Sequence, residues 1–164
     1  MKIASIRFFP DPILRKKSET VKNFDENLKV LLTLLEKTMR AQPSGIGIAA
    51  PQIGIAKRIA VVDVSSRDPR GGLLYLINPE ILEQSDPRAS REGCMSLPDY
   101  TAHLMRFNRI RMKWQDETGA FREMTAAGIE AICIQHEIDH LNGLLFFDRV
   151  ASLKTDMLPR KPSR

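Results

Sequence analysis

Residues 126 to 141, AAGIEAICIQHEIDHL, constrain the fold more than any other stretch of the chain. At about 100° per residue, a helix over this run places Ile129, Ile132, Cys133, His136 and His140 on one side, with Glu137 at its edge. Ala131, Ile134, Ile138 and Leu141 make a second apolar strip on the far side. A helix that is apolar on two sides must be covered on both, so the pattern predicts a central element. Asn142-Gly143 supplies its stop signal. Two imidazoles and a carboxylate continue the buried stripe, and burying them is costly unless each finds a partner.

The remaining pattern is mixed. Asp25 suits the N-cap of a helix running to about Gln42, because Leu28, Leu31, Leu32, Leu35 and Met39 recur at helical spacing, and Pro43-Ser44-Gly45 ends it. Gly45 to Gly54, GIGIAAPQIG, is too apolar for a surface loop and too rich in glycine for a helix. Strand-like runs cover 58–64, 73–78, 81–84, 101–105, 110–115 and 120–125, the last two flanking a hairpin turn at Asp116-Glu117-Thr118-Gly119. Ser65 to Gly72 reads as a surface loop. The class these elements predict is α+β, with short antiparallel β-sheets packed around the central C-terminal helix.

A chain of 164 residues with 43% apolar content is of single-domain length. The opening apolar run is broken by Arg7 and Pro10, and no segment approaches transmembrane length, so the expectation is a soluble, cytoplasmic protein with no membrane partner. Net charge is +5, but the basic residues are scattered and no motif for sequence-specific nucleic-acid binding stands out. The densest cluster follows Asp148: Arg149, Lys154, Arg160, Lys161 and Arg164, read as a frayed, solvated tail, with a weak docking point for an RNA-rich partner as the alternative. Cys94 and Cys133 could pair, although two thiols in such a chain more often serve as core or as metal ligands.

Histidines at i and i+4 on one helical face can aim ring nitrogens at one ion, and the intervening glutamate can reach a metal-bound water. A catalytic site of this kind needs a third protein ligand and an open position. His103 and Glu92 are candidates, but Cys94 is preferred. In Glu92-Gly93-Cys94-Met95-Ser96-Leu97-Pro98, glycine permits close approach and proline fixes the exit, so the thiol is held in a defined direction. Cys133 reads as core or pocket lining.

Three ordered segments, GIGIAAPQ (45–52), EGCMS (92–96) and QHEIDHL (135–141), resemble the motifs of bacterial peptide deformylases, as do PDPILR (10–15) and INP (77–79). The resemblance covers roughly residues 1 to 150, which it implies to be one catalytic domain, with 151–164 a short basic tail. It implies removal of the formyl group from the initiator N-formylmethionine of nascent polypeptides, releasing formate. The implied metal ligands are Cys94, His136 and His140, with Glu137 as general acid and base. Gln52 and the Met95 backbone N–H would stabilise the oxyanion. Ile46 and Gly47 would pair with the substrate backbone, and Ile129, Ile132 and Cys133 would line the methionine pocket. The implied physiological ion is iron(II), with zinc or nickel found after purification.

Two departures stand out. Relatives often carry arginine three residues after the proline of the cysteine motif, where this chain has Thr101. Many also continue into a long basic helix implicated in ribosome docking, which Pro159 and Pro162 would interrupt here, so the expected ribosome contact is a transient one through the short basic tail. The rival readings are a small zinc endopeptidase with a carboxylate ligand, and a catalytically silent ribosome-associated homologue.

Overall fold

The computed structural model describes residues 2–161. Pro12–Arg15 form a 3-10 turn, followed by helix α1 (Glu26–Arg40). Strand β1 (Gly47–Ala49) runs into a second 3-10 turn, Ala50–Ile53. Then come β2 (Ile59–Val62), β3 (Leu74–Cys94), β4 (Leu97–Gln115), β5 (Phe121–Ala127) and helix α2 (Gly128–Leu141). A 3-10 turn at Phe146–Arg149, a single helical turn α3 (Leu153–Asp156) and strand β6 (Met157–Pro159) complete the order. These strands pair antiparallel in the order β1-β2-β3-β4-β5, with β6 added to β4. The class is α+β, as the sequence predicts.

Period-2 alternation in β2 explains why the sheet is covered twice. Ile59 and Val61 join Ile48 in packing against Leu28, Leu32, Leu35 and Met39 of α1. Ala60 and Val62 face the other way, with Ala49, onto Ala131, Cys133, Ile134, Ile138 and Leu141 of α2. All four β2 residues are completely buried, and α2 is the central helix that its two apolar strips require. The α1 cap is also as predicted: Asp25 Oδ1 accepts from the Leu28 N–H at 3.1 Å. Helix α2 stops at Gly143, whose φ of +74° and close approach to the Arg15 carbonyl, 2.4 Å from where a Cβ would sit, leave room only for glycine.

Four boundaries differ from the sequence pattern. The strand-like runs at 73–78 and 81–84 are parts of the single strand β3, and those at 101–105 and 110–115 are parts of β4. The two strands pair from Ile77↔Gln115 to Cys94↔Leu97, with irregular register at the Ile77/Glu80, Ile81/Glu83 and Gly93/Cys94 steps. The intervening EQSDPRASR is polar on both faces, so backbone pairing holds it without an apolar alternation to reveal it. Helix α2 begins at Gly128 and not at Ala126, because Ala126 and Ala127 pair with Ile110 and Arg109 of β4. The tail read as frayed carries strand β6, where Met157, Leu158 and Pro159 oppose Ala102, Thr101 and Tyr100. Pro162 and Arg164 lie outside the described residues. Both cysteines are free thiols, and no helix among the described residues is long and apolar enough to cross a membrane.

Candidate metal centre

Cys94, His136 and His140 are brought together by two elements. Cys94 ends β3 immediately before the Met95-Ser96 turn, and the two histidines stand one helical turn apart on α2. One ligand atom from each lies within 4.8 Å of the others, and no fourth histidine, cysteine or carboxylate joins this group among the described residues. Cys94 Sγ is 3.4 Å from His140 Nε2. Bonds of about 2.3 Å to sulfur and 2.0–2.1 Å to nitrogen at tetrahedral angles give an S···N edge of roughly 3.5 Å. One thiolate and two imidazoles therefore fit a divalent transition ion and leave one coordination position open.

The ligands are held from behind. His136 Nδ1 meets Glu92 Oε1 at 2.8 Å, so its Nε2 is the nitrogen left for the ion. Glu92 also receives Arg106 through Nε and Nη2 at 2.8 and 2.9 Å, and Arg106 Nη1 donates to Asp139 Oδ2 at 2.6 Å. Asp139 accepts in turn from Arg149 Nε and Nη2. Burial alone would raise the Glu92 pKa, but its bonds to Arg106 and His136 outweigh that and hold it at about 2. Phe146 stacks near the His136 ring, at 6.2 Å between centroids. His140 is 1% exposed and its Nδ1 has no protein partner; burial and the neighbouring His136 push its pKa down.

Around this centre, Gln52 Nε2 lies 3.6 Å from Cys94 Sγ and 3.2 Å from Ser96 Oγ, while its Oε1 accepts from the Ala49 N–H at 2.9 Å. The amide is thereby oriented with its donor toward the site. Glu137 is buried, with Oε2 unpartnered, and burial pushes its pKa up to about 7. Gly47 lies against it: an added Cβ would fall 2.6 Å from Glu137 Oε1 and 2.7 Å from Cys133 Sγ. Cys133 Sγ also contacts the Ile46 carbonyl at 3.5 Å. Ile129 and Ile132 are half-buried on α2. His103 is exposed on β4 opposite Arg91, away from the ligand group, and Glu92 stands behind His136.

Arg106 is the buried residue that the sequence reading overlooked. The signal was present: Ala102 and Leu104 are inward positions of β4, and the same alternation places Arg106 inward, facing Asp139 one turn beyond His136.

The polypeptide deformylase family matches residues 3–156. A peptide deformylase of Thermodesulfovibrio yellowstonii is 42% identical over 161 residues, spanning 98% of this chain and 97% of that relative. Another, from Mesorhizobium japonicum, is 44% identical across 98% of this chain and 92% of its own length. The crystal structure of peptide deformylase from Thermotoga maritima superposes with a TM-score of 0.86 at 40% identity, covering 93% of this chain and all of that one (100%). The peptide deformylase of Synechococcus elongatus, solved in complex with actinonin, gives 0.85 at 36% identity over 92% of this chain and 80% of its own. With sequence, fold and donor set in agreement over nearly its whole length, the chain belongs to the polypeptide deformylase family.

Proposed function

We propose that this deformylase hydrolyses the N-formyl group of the initiator formylmethionine on nascent polypeptides, with Cys94, His136 and His140 as metal ligands and Glu137 as the proton carrier. The observation that supports it best is the three-donor group with the buried Glu137 carboxylate beside it, whose Oε2 has no partner. A divalent ion held there supplies an acidified water and a Lewis acid for the formyl oxygen. Glu137 takes the proton that water loses as its oxygen adds to the formyl carbon. It then delivers that proton to the amine nitrogen as the C–N bond breaks, so formate and a free amino terminus leave. Gln52 Nε2, oriented by its Ala49 contact, and the Met95 N–H in the turn after Cys94 donate to the oxygen that gains charge.

Strand β1 lies at the sheet edge, and the Ile46 carbonyl is already engaged by the Asp63 N–H at 2.8 Å. Backbone alternation turns the polar groups of Gly47 toward the open side, where an extended peptide can add as a strand. Ile129, Ile132 and Cys133 form the apolar wall for the methionine side chain. Iron(II) is the assigned physiological ion, with zinc or nickel as substitutes, since a thiolate and two imidazoles accept all three. Residues 1–150 carry the metal centre and its proton carrier, 151–164 are a short basic extension that joins the sheet through β6 and contacts the ribosome transiently, and the protein works in the cytoplasm.

The test is formate release from an N-formylmethionyl peptide by anaerobically prepared, iron- or nickel-loaded protein, with the N-acetyl peptide as control. Formyl release with the acetyl peptide untouched is expected. Cleavage of internal peptide bonds, or no release by fully metallated protein, overturns the reading.

A further inference from the structure

We infer that Arg160 and Arg91 form a cationic subsite beside Gly93 that receives an anionic group on the substrate peptide, downstream of formylmethionine. This rests on the reading that a formylated peptide lies beside Cys94.

Gly93 immediately precedes Cys94 and pairs with Thr101, which pairs on its other side with Leu158 of β6. Arg160 follows two residues after Leu158, and its N–H is tied to the Asp99 carbonyl at 2.7 Å. From there its side chain folds back across Thr101: Nη2 lies 3.0 Å and Cζ 3.5 Å from the position a Cβ on Gly93 would occupy. Arg91 reaches the same place from β3, with Nε 3.4 Å from Thr101 Oγ1. Two guanidinium groups thus converge on one residue pair, and neither has a carboxylate partner among the described residues, in contrast to Arg106, Arg111 and Arg149. Like charges held together on an exposed face favour an anion between them, and the planar guanidinium suits a carboxylate.

The location makes this a substrate subsite and not a general basic patch. Beyond Glu80, β3 pairs with β4 on one side and with no strand on the other among the described residues, which leaves its edge at Gly93 without a strand partner. Gly93 adjoins Cys94, so a peptide with its formyl group at Cys94 and its chain extended past this edge would bring its second or third residue within reach of Arg160, extended chain advancing about 3.3 Å per residue. β6 is what carries Arg160 there, which gives this short strand a role in selecting substrates.

Steady-state kinetics on the metal-loaded enzyme tests the inference, using N-formylmethionyl di- and tripeptides, each as the free acid and as the carboxamide. Arg160→Ala is expected to raise KM for the free acids about three- to fivefold, the scale of an exposed charge pair, with kcat nearly constant. KM for the carboxamides should stay within about twofold by the same scale. The acid-selective effect should fade with added salt, recur in Arg91→Ala, and be absent in Arg160→Lys. Arg88→Ala, which removes equal charge farther along the hairpin, should leave KM unaltered. Equal changes for acids and carboxamides, or none for either in Arg160→Ala, overturn the subsite while leaving the deformylase reading intact. No turnover of any peptide by the unaltered enzyme overturns both.

Discussion

Replacing Arg106 by methionine would remove a buried cation while keeping most of its apolar stem. Arg106 is 4% exposed and makes three charge-assisted bonds, two to Glu92 and one to Asp139. The two acids would fare differently. Asp139 keeps Arg149, whereas Glu92, 7% exposed, is left with His136 alone. Removing one partner from a buried ion pair typically costs about 3–5 kcal/mol, because the remaining charge is stranded in low dielectric. For a chain of this size each kcal/mol lowers Tm by about 2–4 °C, which puts the expected drop at about 6–20 °C. The assay is thermal unfolding of metal-free Arg106→Met by circular dichroism at neutral pH, so that metal affinity does not enter. Glu92→Gln in the same background should recover part of the loss, since a neutral amide needs no cation, with a coupling of about 0.5–3 kcal/mol between the two sites. A Tm drop below about 2 °C, or strictly additive double-mutant behaviour, would refute the stranded-charge argument.

Cys94→Ala should lose bound metal and turnover together, whereas Glu137→Ala should keep near-stoichiometric metal and lose about 10²- to 10⁴-fold in kcat; metal analysis beside kinetics separates them, and metal loss in Glu137→Ala would make that residue structural. Gly47→Ala drives a methyl group into Glu137 Oε1 and Cys133 Sγ, so stability should fall by about 1–3 kcal/mol and kcat/KM by about 10²-fold; an unimpaired variant would show that β1 does not confine Glu137. Tyr75 donates to Glu36, and burial together with that bond pushes its pKa up to about 12. The folded pKa lies above the unfolded value of about 10, so this stabilisation is complete below about pH 10 and lost as pH rises toward about 12. Tyrosinate absorbance should show that late step while the protein remains folded, and Tyr75→Phe should abolish it; an unchanged titration would contradict the assignment.

What could be read from the sequence follows from how locally each feature is encoded. The periodicity of α1, its Asp25 cap and the two-sided apolarity of α2 lie within single segments, and all three recur in the structure. The ligand candidates were legible for the same reason: the imidazoles share one helical face, and Cys94 sits in a short stretch with its own turn chemistry. The Arg106–Glu92–Asp139 network depends on the β3–β4 register and on how that hairpin docks against α2, neither of which is written in any one segment. Ala126 and Ala127 read as helix formers yet belong to β5, where tertiary pairing overrides a weak local preference. Met157-Leu158-Pro159 is too short to show a period at all, so β6 emerges only from its partner strand.

The metal centre also carries information about the order in which the molecule matures. Gln52 and Cys94 are 42 residues apart, Glu92 and His136 are 44, and Cys94 and His140 are 46. Helix α2 can present both imidazoles on its own, but the thiol and the amide arrive only after these long segments have closed, at an entropic cost that local structure does not offset. Catalytic competence therefore requires closure of these long segments, and a partly folded chain with only α2 formed would be inert. Appearance of activity during refolding would time the docking of the hairpin end onto α2.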